Sequence, residues 1–390
     1  MCKIKFNFIL RFIKYNTGKF MKKLEINKKD LKNNIEIIKQ MNQETEKDKK
    51  PEIIGVVKAN GVGLDLIQYS KFLVDNGINT LAVAVTQEAI KLRKEAKIEN
   101  DIIMLSPTII KEEIQELVEN DIILTVGNIY ELELIKDIAS KLKKENIRIY
   151  IKIDTGLARF GFLYNDIENI IKVFENADFV KIEGMYTHFS KCSDEKWTNI
   201  QFKRFLDCVE NVRKSGYSTG KLHAASSTAF IKYPEMRLDA VRLGSIFQGR
   251  TLKKVDGLVK IGTFKTSISE IKTLPKGYNI SYGKIYKTKK ITRVAVIPVG
   301  YIDGFNKDKL RDDFTFKNNL ISVGMEIKKI FKDNSLKVKI RDKSYKVLGR
   351  IGMYHAIIDI TSNWDIQVGD EVIINITPLQ ANDEIRREYI

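Results

Sequence analysis

From Pro51 onward, short apolar runs alternate with segments in which apolar residues return every three or four positions. The apolar runs predict strands at Ile53–Lys58, Thr80–Val85, Ile102–Ser106, Ile122–Val126, Arg148–Ile153, Lys181–Thr187, Lys221–Ala225 and Asp239–Arg242. Between them, Leu66–Asn76, Lys111–Glu119 and Ile167–Asn176 have helical period, with Asn165 or Asp166 available to cap the last. Eight strands separated by helices predict an α/β fold, a (β/α)₈ TIM-type barrel. The competing doubly wound sheet would carry a glycine-rich dinucleotide turn after its first strand, and Lys58-Ala59-Asn60-Gly61-Val62-Gly63 does not match one. After about residue 255 the rhythm changes to short β-branched runs, such as Ile291–Ile297, Leu336–Ile340 and Ala356–Ile360, which predict a mostly β C-terminal domain. The run Leu24–Ile26, ahead of a helical pattern at Asp30–Met41, is expected to pair with that domain. The expected division is an N-terminal extension at 1–20, a barrel at 21–255 and a β domain at 256–390.

Length supports two domains, because 390 residues exceed what one hydrophobic core usually serves. Apolar residues at 43% and charged residues at 30% describe a folded soluble protein and exclude wholesale disorder. Lysine and arginine number 67 against 50 acids, a net charge of +17, which suits nucleic acid, an anionic membrane or a phosphorylated ligand. The distribution argues against the first two. Lysines are scattered and stand beside acids, as in Lys111-Glu112-Glu113, and only the first 20 residues interleave basic with aromatic side chains. The excess reads as a solvated surface, with nucleic-acid binding the lesser alternative.

Cys2, Cys192 and Cys208 form no metal-ligand spacing and no disulfide framework, so neither a metal site nor an oxidising compartment is expected. A cytoplasmic location fits. Apolar stretches such as Leu81–Val85 and Val294–Val299 are far shorter than the roughly 18 residues of a membrane span. Phe6–Leu10 with Arg11 and Lys14 resembles a basic leader only superficially, since the apolar run is short and no cleavage site follows. Residues 1–20 are therefore expected to be an extension before Met21.

In a barrel of this kind the chemistry gathers at the carboxyl ends of the strands. Lys58 ends the first, Arg159 follows the fifth, His188 the sixth and Ser226-Ser227 the seventh, and Arg242 with Gly244 ends the eighth. A lysine partly desolvated at the end of an apolar strand has a free amine able to form a Schiff base, the requirement for holding pyridoxal phosphate. Hydroxyl and glycine positions after the last two strands lie where barrels bind phosphate through backbone N–H groups. Each residue has a plainer reading alone: a strand-end lysine, a helix cap, a core histidine, two ion-paired arginines. Their shared end of the barrel is what favours the functional one.

Seven motifs, in order, carry a resemblance: Val56-Val57-Lys58-Ala59-Asn60, Lys152-Ile153-Asp154-Thr155-Gly156-Leu157-Ala158-Arg159, Thr187-His188-Phe189, Val241-Arg242-Leu243-Gly244, Ile280-Ser281-Tyr282-Gly283, Pro298-Val299-Gly300-Tyr301-Ile302-Asp303-Gly304 and Gly349-Arg350-Ile351-Gly352-Met353. From about Lys22 to its end the chain resembles the fold-type III alanine racemases. The resemblance implies a homodimer that takes a small amino acid, with pyridoxal 5'-phosphate as cofactor. It implies Lys58 as cofactor lysine and one acid/base group, and Tyr282 as the other, reaching the partner's cofactor. It further implies Arg242 facing the pyridine nitrogen, Arg159 near the cofactor's phenolic oxygen and the substrate carboxylate, and the Met353 N–H on that carboxylate. His188, Ser226, Ser227, Gly244 and Ser245 complete the implied cofactor contacts, and Lys152 matches a lysine carbamylated in many members.

Racemisation needs two groups on opposite faces of the α-carbon. A tyrosine serves as base only near positive charge, for which His188 and Arg242 are the candidates. A guanidinium keeps its proton, so Arg242 leaves the ring nitrogen unprotonated, which is expected to limit transamination. The chain departs from the family at Val62, where a phosphate-binding tyrosine is usual and for which Ser245 could substitute. It departs also at Ser226 and Tyr354, where asparagine and aspartate are usual, and between Asn375 and Arg386, which lacks the usual tyrosine. The expected activity is interconversion of L- and D-alanine for peptidoglycan. A racemase for serine, lysine or ornithine, a basic amino-acid decarboxylase and a non-catalytic pyridoxal-phosphate-binding protein are the alternatives.

Overall fold

The computed structural model describes residues 22–44, 50–307 and 335–390. The expected extension at 1–20 lies outside them. The chain forms two compact units, one of Asn27–Ile261 and one that joins Lys22–Ile26 to Gly262–Ile390.

The first unit is the barrel. Its strands are β2 (Glu52–Val56), β3 (Thr80–Val83), β4 (Asp101–Met104), β5 (Leu124–Val126), β6 (Ile147–Asp154), β7 (Val180–Tyr186), β8 (Lys221–Ser226) and β9 (Ala240–Leu243). They pair in parallel in the order β4-β3-β2-β9-β8-β7-β6-β5, and a parallel bridge between Ile103 and Ile123 joins the two ends. The eight expected strands are all present, within two residues at most ends. Between them run α2 (Leu66–Asp75), α3 (Thr86–Lys94), α4 (Lys111–Glu119), α5 (Ile129–Leu142), α6 (Ile167–Glu175) and α7 (Glu195–Lys214), with α1 (Lys28–Gln43) ahead of the first barrel strand. The Asn27 side chain caps α1 by accepting the Lys29 and Asp30 N–H groups. Asp166 does stand at the cap position of α6, but its carboxylate takes the Asn169 side-chain amide instead of a backbone donor.

Inward-facing residues of successive strands fill the barrel, as the period of two requires. Ile54, Ala82, Ile103, Ile123, Tyr150, Tyr186 and Ala240 form one buried cluster. His223, the inward residue of β8, stacks on Tyr186 at 4.9 Å and meets the edge of Tyr150 at 4.8 Å. The Tyr186 hydroxyl donates to the Leu105 carbonyl at 2.9 Å. This aromatic layer closes the barrel and leaves a polar floor beneath the carboxyl ends of the strands.

The second unit is the mostly β domain. Its sheet comprises β1 (Lys22–Ile26), β10 (Thr263–Ser267), β11 (Glu270–Leu274), β12 (Thr292–Ile297), β13 (Lys337–Ile340), β14 (Lys343–Leu348), β15 (Ala356–Asp359), β16 (Glu371–Ile374) and β17 (Arg386–Tyr389), in the order β11-β12-β15-β14-β13-β16-β10-β1-β17. As expected, the segment at Leu24–Ile26 belongs here: β1 runs antiparallel to β10 and parallel to β17.

Candidate active site

Lys58 follows β2 with only Val57 between them and opens an unusual turn. Ala59 (φ 55°, ψ 59°), Asn60 (53°, 53°), Gly61 (65°, 37°) and Val62 (φ 54°) are all left-handed. Glycine visits this region freely and asparagine readily, but other L-residues cost about 1–2 kcal/mol each there, so Ala59 and Val62 together store roughly 2–4 kcal/mol. Backbone bonds within the turn, such as Gly61 N–H to the Val57 carbonyl and Gly63 N–H to the Ala59 carbonyl, each at 2.9 Å, are joined by three side-chain contacts. The Asn60 N–H donates to Glu88 Oε1 at 2.9 Å, the Asn60 Oδ1 accepts the Leu66 N–H at 2.9 Å, and the Gln248 side chain donates to the Val62 carbonyl at 2.8 Å.

The desolvated lysine is not the expected one. Lys58 is exposed, whereas Lys152, on β6, is 4% exposed, with its ammonium over the rings of Phe160 and Tyr186 at 5.3 and 5.5 Å. Burial, followed by the fields of Arg159 and Arg242, pushes Lys152 down to about 8.

Arg242 occupies the floor, buried, with its guanidinium 5.0 Å from the Tyr186 ring centre. Nη1 donates to His223 Nδ1 at 2.6 Å and to the His223 carbonyl at 3.1 Å. Nη2 reaches the carbonyls of Thr187 at 2.6 Å and Ala224 at 3.2 Å, and His188 Nδ1 at 3.3 Å. Arginine only donates, so both imidazole Nδ1 atoms accept and the proton of neutral His223 sits on Nε2, which is buried without a partner among the described residues. Nε is the one guanidinium nitrogen with no hydrogen bond among the described residues. Burial brings Arg242 down to about 10, which leaves it charged at neutral pH.

Burial, then the positive charges of Arg242, Arg159, Lys152 and Lys58, drives His188 down to about 3. It is therefore neutral at working pH. This corrects the expectation that His188 supplies positive charge to a tyrosine base; of the two candidates only Arg242 carries one.

Arg159 is exposed on a loop organised by Asp154 at the end of β6. Asp154 Oδ1 accepts the Gly156 and Leu157 N–H groups, each at 2.8 Å. Burial pushes this carboxyl up, but the N–H groups of Gly156, Leu157, Ala158 and Arg159 outweigh it and hold it below its ordinary value. Thr155 and Thr187 exchange a hydroxyl bond at 2.9 Å, linking this loop to the segment that carries His188.

The serine and glycine positions lie together. Ser226 ends β8 opposite Arg242 in register, and the Ser227 hydroxyl accepts the Gly244 N–H at 3.1 Å. Ser245 is exposed and begins the short turn Ser245–Gln248. Thus Lys58, Arg159, His188, Ser226, Ser227, Arg242, Gly244 and Ser245 all stand in the barrel unit at or just past the carboxyl ends of its strands. Tyr186, Asp154, Asn60, Glu88 and Gln248 were not foreseen. The alternation that places His188 beside a strand could have found Tyr186, and the Asp-Thr-Gly turn chemistry could have found Asp154.

Tyr282 and Met353 belong to the second unit. Tyr282 opens a short turn at the tip of the hairpin Asn279–Ile280 and Tyr286–Lys287, and is 71% exposed. Ser281 before it has φ 63°, and its hydroxyl donates to the Arg350 carbonyl. The Gly352 Cα lies against the Tyr282 ring, where an added Cβ would stand 3.5 Å from Cε2. Tyr282 and the Gly352-Met353 segment are therefore neighbours. The Met353 carbonyl accepts the Ile302 N–H, while its own N–H has no acceptor among the described residues.

A (β/α)₈ barrel whose mouth gathers lysine and arginine over a fixed floor, followed by a β domain presenting an exposed phenol, defines a barrel enzyme suited to an anionic ligand. A family model described as the alanine racemase N-terminal domain matches residues 26–251, and one described as the alanine racemase C-terminal domain matches 261–387. The alanine racemase of Methanococcus maripaludis is 34% identical over 90% of this chain and 87% of its own length. That of Clostridium perfringens strain SM101 is 35% identical over 85% and 82%. The solved alanine racemase of Clostridium difficile 630 superposes with a TM-score of 0.82 at 27% identity, covering 96% of this chain and 97% of that one. The chain belongs to the alanine racemase family and is an enzyme of that family.

Proposed function

We propose that this enzyme uses pyridoxal 5'-phosphate to interconvert L- and D-alanine, acting as a cytoplasmic homodimer that supplies D-alanine for peptidoglycan. The observation that carries the reading is the state of Arg242. Both its terminal nitrogens are engaged, and Nε remains as a donor to a ring nitrogen that must stay unprotonated. The residues fit the cofactor in charge as well. Lys58, Lys152, Arg159 and Arg242 make no ion pair among the described residues, and a phosphate, a phenolate and a carboxylate would supply the missing anions.

Lys58 would hold the cofactor by its aldehyde, with Ser226, Ser227, Gly244 and Ser245 about the phosphate. When bound, the cofactor supplies an electron sink that makes the substrate's α-proton removable. Lys58 Nζ, free once the substrate's amine replaces it on the aldehyde, would take or return that proton on one face of the α-carbon, and Tyr282 Oη, contributed by a second copy of the chain, would do so on the other. Arg159 would bind the substrate carboxylate together with the N–H of Met353, which neighbours Tyr282 and would come from the same second copy. A guanidinium at the ring nitrogen stores less charge there than a protonated ring would, which favours return of the proton to carbon over transamination.

The test is a visible absorption band on adding pyridoxal phosphate, lost in Lys58→Ala, together with racemisation assays across L-alanine, L-serine, L-lysine and L-ornithine. Protein that stays colourless when supplemented refutes the cofactor reading. Failure to turn over L-alanine refutes the substrate. Release of carbon dioxide would point to a decarboxylase, and full activity in Tyr282→Phe would remove the second base.

A further inference from the structure

We propose that Glu88 is a positioning residue for Lys58, acting through the main chain of Asn60 to keep the turn after the lysine left-handed. The inference rests on the reading of Lys58 as the cofactor lysine. Asn60 and Gly61 tolerate left-handed backbone, but Ala59 and Val62 on either side of them do not, so part of what holds the turn lies outside it. Of the three side-chain contacts above, the one from Glu88 acts nearest to Lys58, on the N–H two residues along.

Glu88 sits in the first turn of α3, in the βα unit after the one that carries the lysine. The frames of the two units are already joined there, since the Val57 N–H donates to the Ala82 carbonyl at 2.9 Å. The Glu88 Oε1 contact therefore fixes the turn against a rigid neighbour. Its second oxygen, Oε2, is buried with no hydrogen-bond partner among the described residues. A carboxylate satisfied on one oxygen only is a poor choice for packing, and the single bond it does make is to Asn60. Without that bond the chain after Lys58 can relax towards right-handed backbone, which moves the base of the lysine side chain and with it the amine.

Glu88→Gln keeps the reach and an acceptor oxygen but removes the charge; Glu88→Asp keeps the charge and removes the reach. Each is titrated with pyridoxal phosphate by visible absorption, beside wild type and Lys58→Ala, and the cofactor-free proteins are melted. Glu88→Gln is expected to bind within about threefold of wild type. Glu88→Asp is expected to bind at least tenfold more weakly, about 1.4 kcal/mol, and at saturating cofactor to lose kcat for alanine with little change in KM. Because a relaxed turn also releases its strain, both cofactor-free variants should melt within about 2 °C of wild type. Glu88→Asp binding like wild type, or Glu88→Gln weakened as much as Glu88→Asp, would overturn the proposal. A wild-type protein that binds no pyridoxal phosphate, or a Lys58→Ala variant that still colours, overturns the reading of Lys58 instead, and is seen before any Glu88 variant is compared.

Discussion

Arg242→Met keeps most of the side-chain volume at the barrel floor and removes the charge nearest His188. In the wild-type protein His188 is displaced from its ordinary value of 6.5 to about 3, by burial first and then by Arg242, Arg159, Lys152 and Lys58. At about 1.4 kcal/mol per tenfold change in affinity, that displacement amounts to about 5 kcal/mol against the imidazolium. Above pH 6.5 the folded and unfolded states both hold neutral His188. Between 6.5 and about 3 only the unfolded state binds the proton, so this group's contribution to stability is full above 6.5 and is lost as pH falls towards 3. In Arg242→Met the value should rise yet stay below 6.5, because burial is the larger cause. The chain has three histidines, so an NMR titration of the imidazole Cε1–H signals, with His188 assigned through His188→Gln, resolves the question directly. A wild-type His188 that titrates near 6.5, or one that Arg242→Met leaves unmoved, would refute the picture of a mouth charged by uncompensated cations.

Asp154→Asn exchanges charge-assisted bonds to the Gly156 and Leu157 N–H groups for neutral ones, a loss of about 1–2 kcal/mol. Melting should fall by several degrees at pH 7, the KM for alanine should rise through Arg159, and the wild-type advantage should vanish as pH drops below the ordinary carboxylate value near 4, where the unfolded Asp154 takes up a proton that the folded one does not. Arg242→Glu should raise the ratio of transamination to racemisation, measured by pyruvate and D-alanine formed per turnover, and an unchanged ratio would remove the argument for the guanidinium. Gly161→Ala should destabilise by about 2 kcal/mol or more in denaturant titration, since Gly161 has φ 117° and an added Cβ would stand 2.8 Å from the Lys152 carbonyl.

The barrel was legible because its signal is local: each strand's apolar run and each helix's three-to-four spacing survive in the residues themselves, as at Thr80–Val83 and Lys111–Glu119. The order of polar groups at the strand ends was legible for the same reason. What was not legible depends on contacts between residues far apart in sequence. Ala59 and Val62 carry no left-handed signature, and Glu88 and Gln248 reach their turn from elsewhere in the chain. Desolvation was assigned to Lys58 from its strand-end place, but it falls on Lys152, a residue inside a strand whose side chain lies among Phe160, Tyr186 and two arginines. Strand position indicates which end of the barrel a residue serves, and the neighbouring strands decide how dry it is.

The two ends of the barrel treat charge in opposite ways, and the contrast bears on what the mouth is for. At the amino ends of the strands, charges on β2, β4, β6, β7 and β8 are paired across the sheet. Glu52 pairs with Lys221 at 2.7 Å, and Arg148 takes Asp101 through both terminal nitrogens at 2.6 and 2.7 Å and Glu183 through Nε at 2.8 Å. At the carboxyl ends Lys58, Lys152, Arg159 and Arg242 make no ion pair among the described residues; Lys152 is lowered by burial and then by Arg159 and Arg242, and His188 by burial and then by Arg242, Arg159, Lys152 and Lys58. A protein that pairs its charges at one end and leaves them facing one another at the other bears a cost that an arriving anion removes. The cofactor-free protein should therefore gain melting temperature with pyridoxal phosphate concentration, the gain following RT ln(1 + [L]/Kd), about 2.7 kcal/mol at a hundredfold excess over Kd. Raising salt should narrow the difference by screening the free protein's repulsion. A melting temperature indifferent to pyridoxal phosphate would mean that the cations of the mouth are balanced by something other than a bound anion.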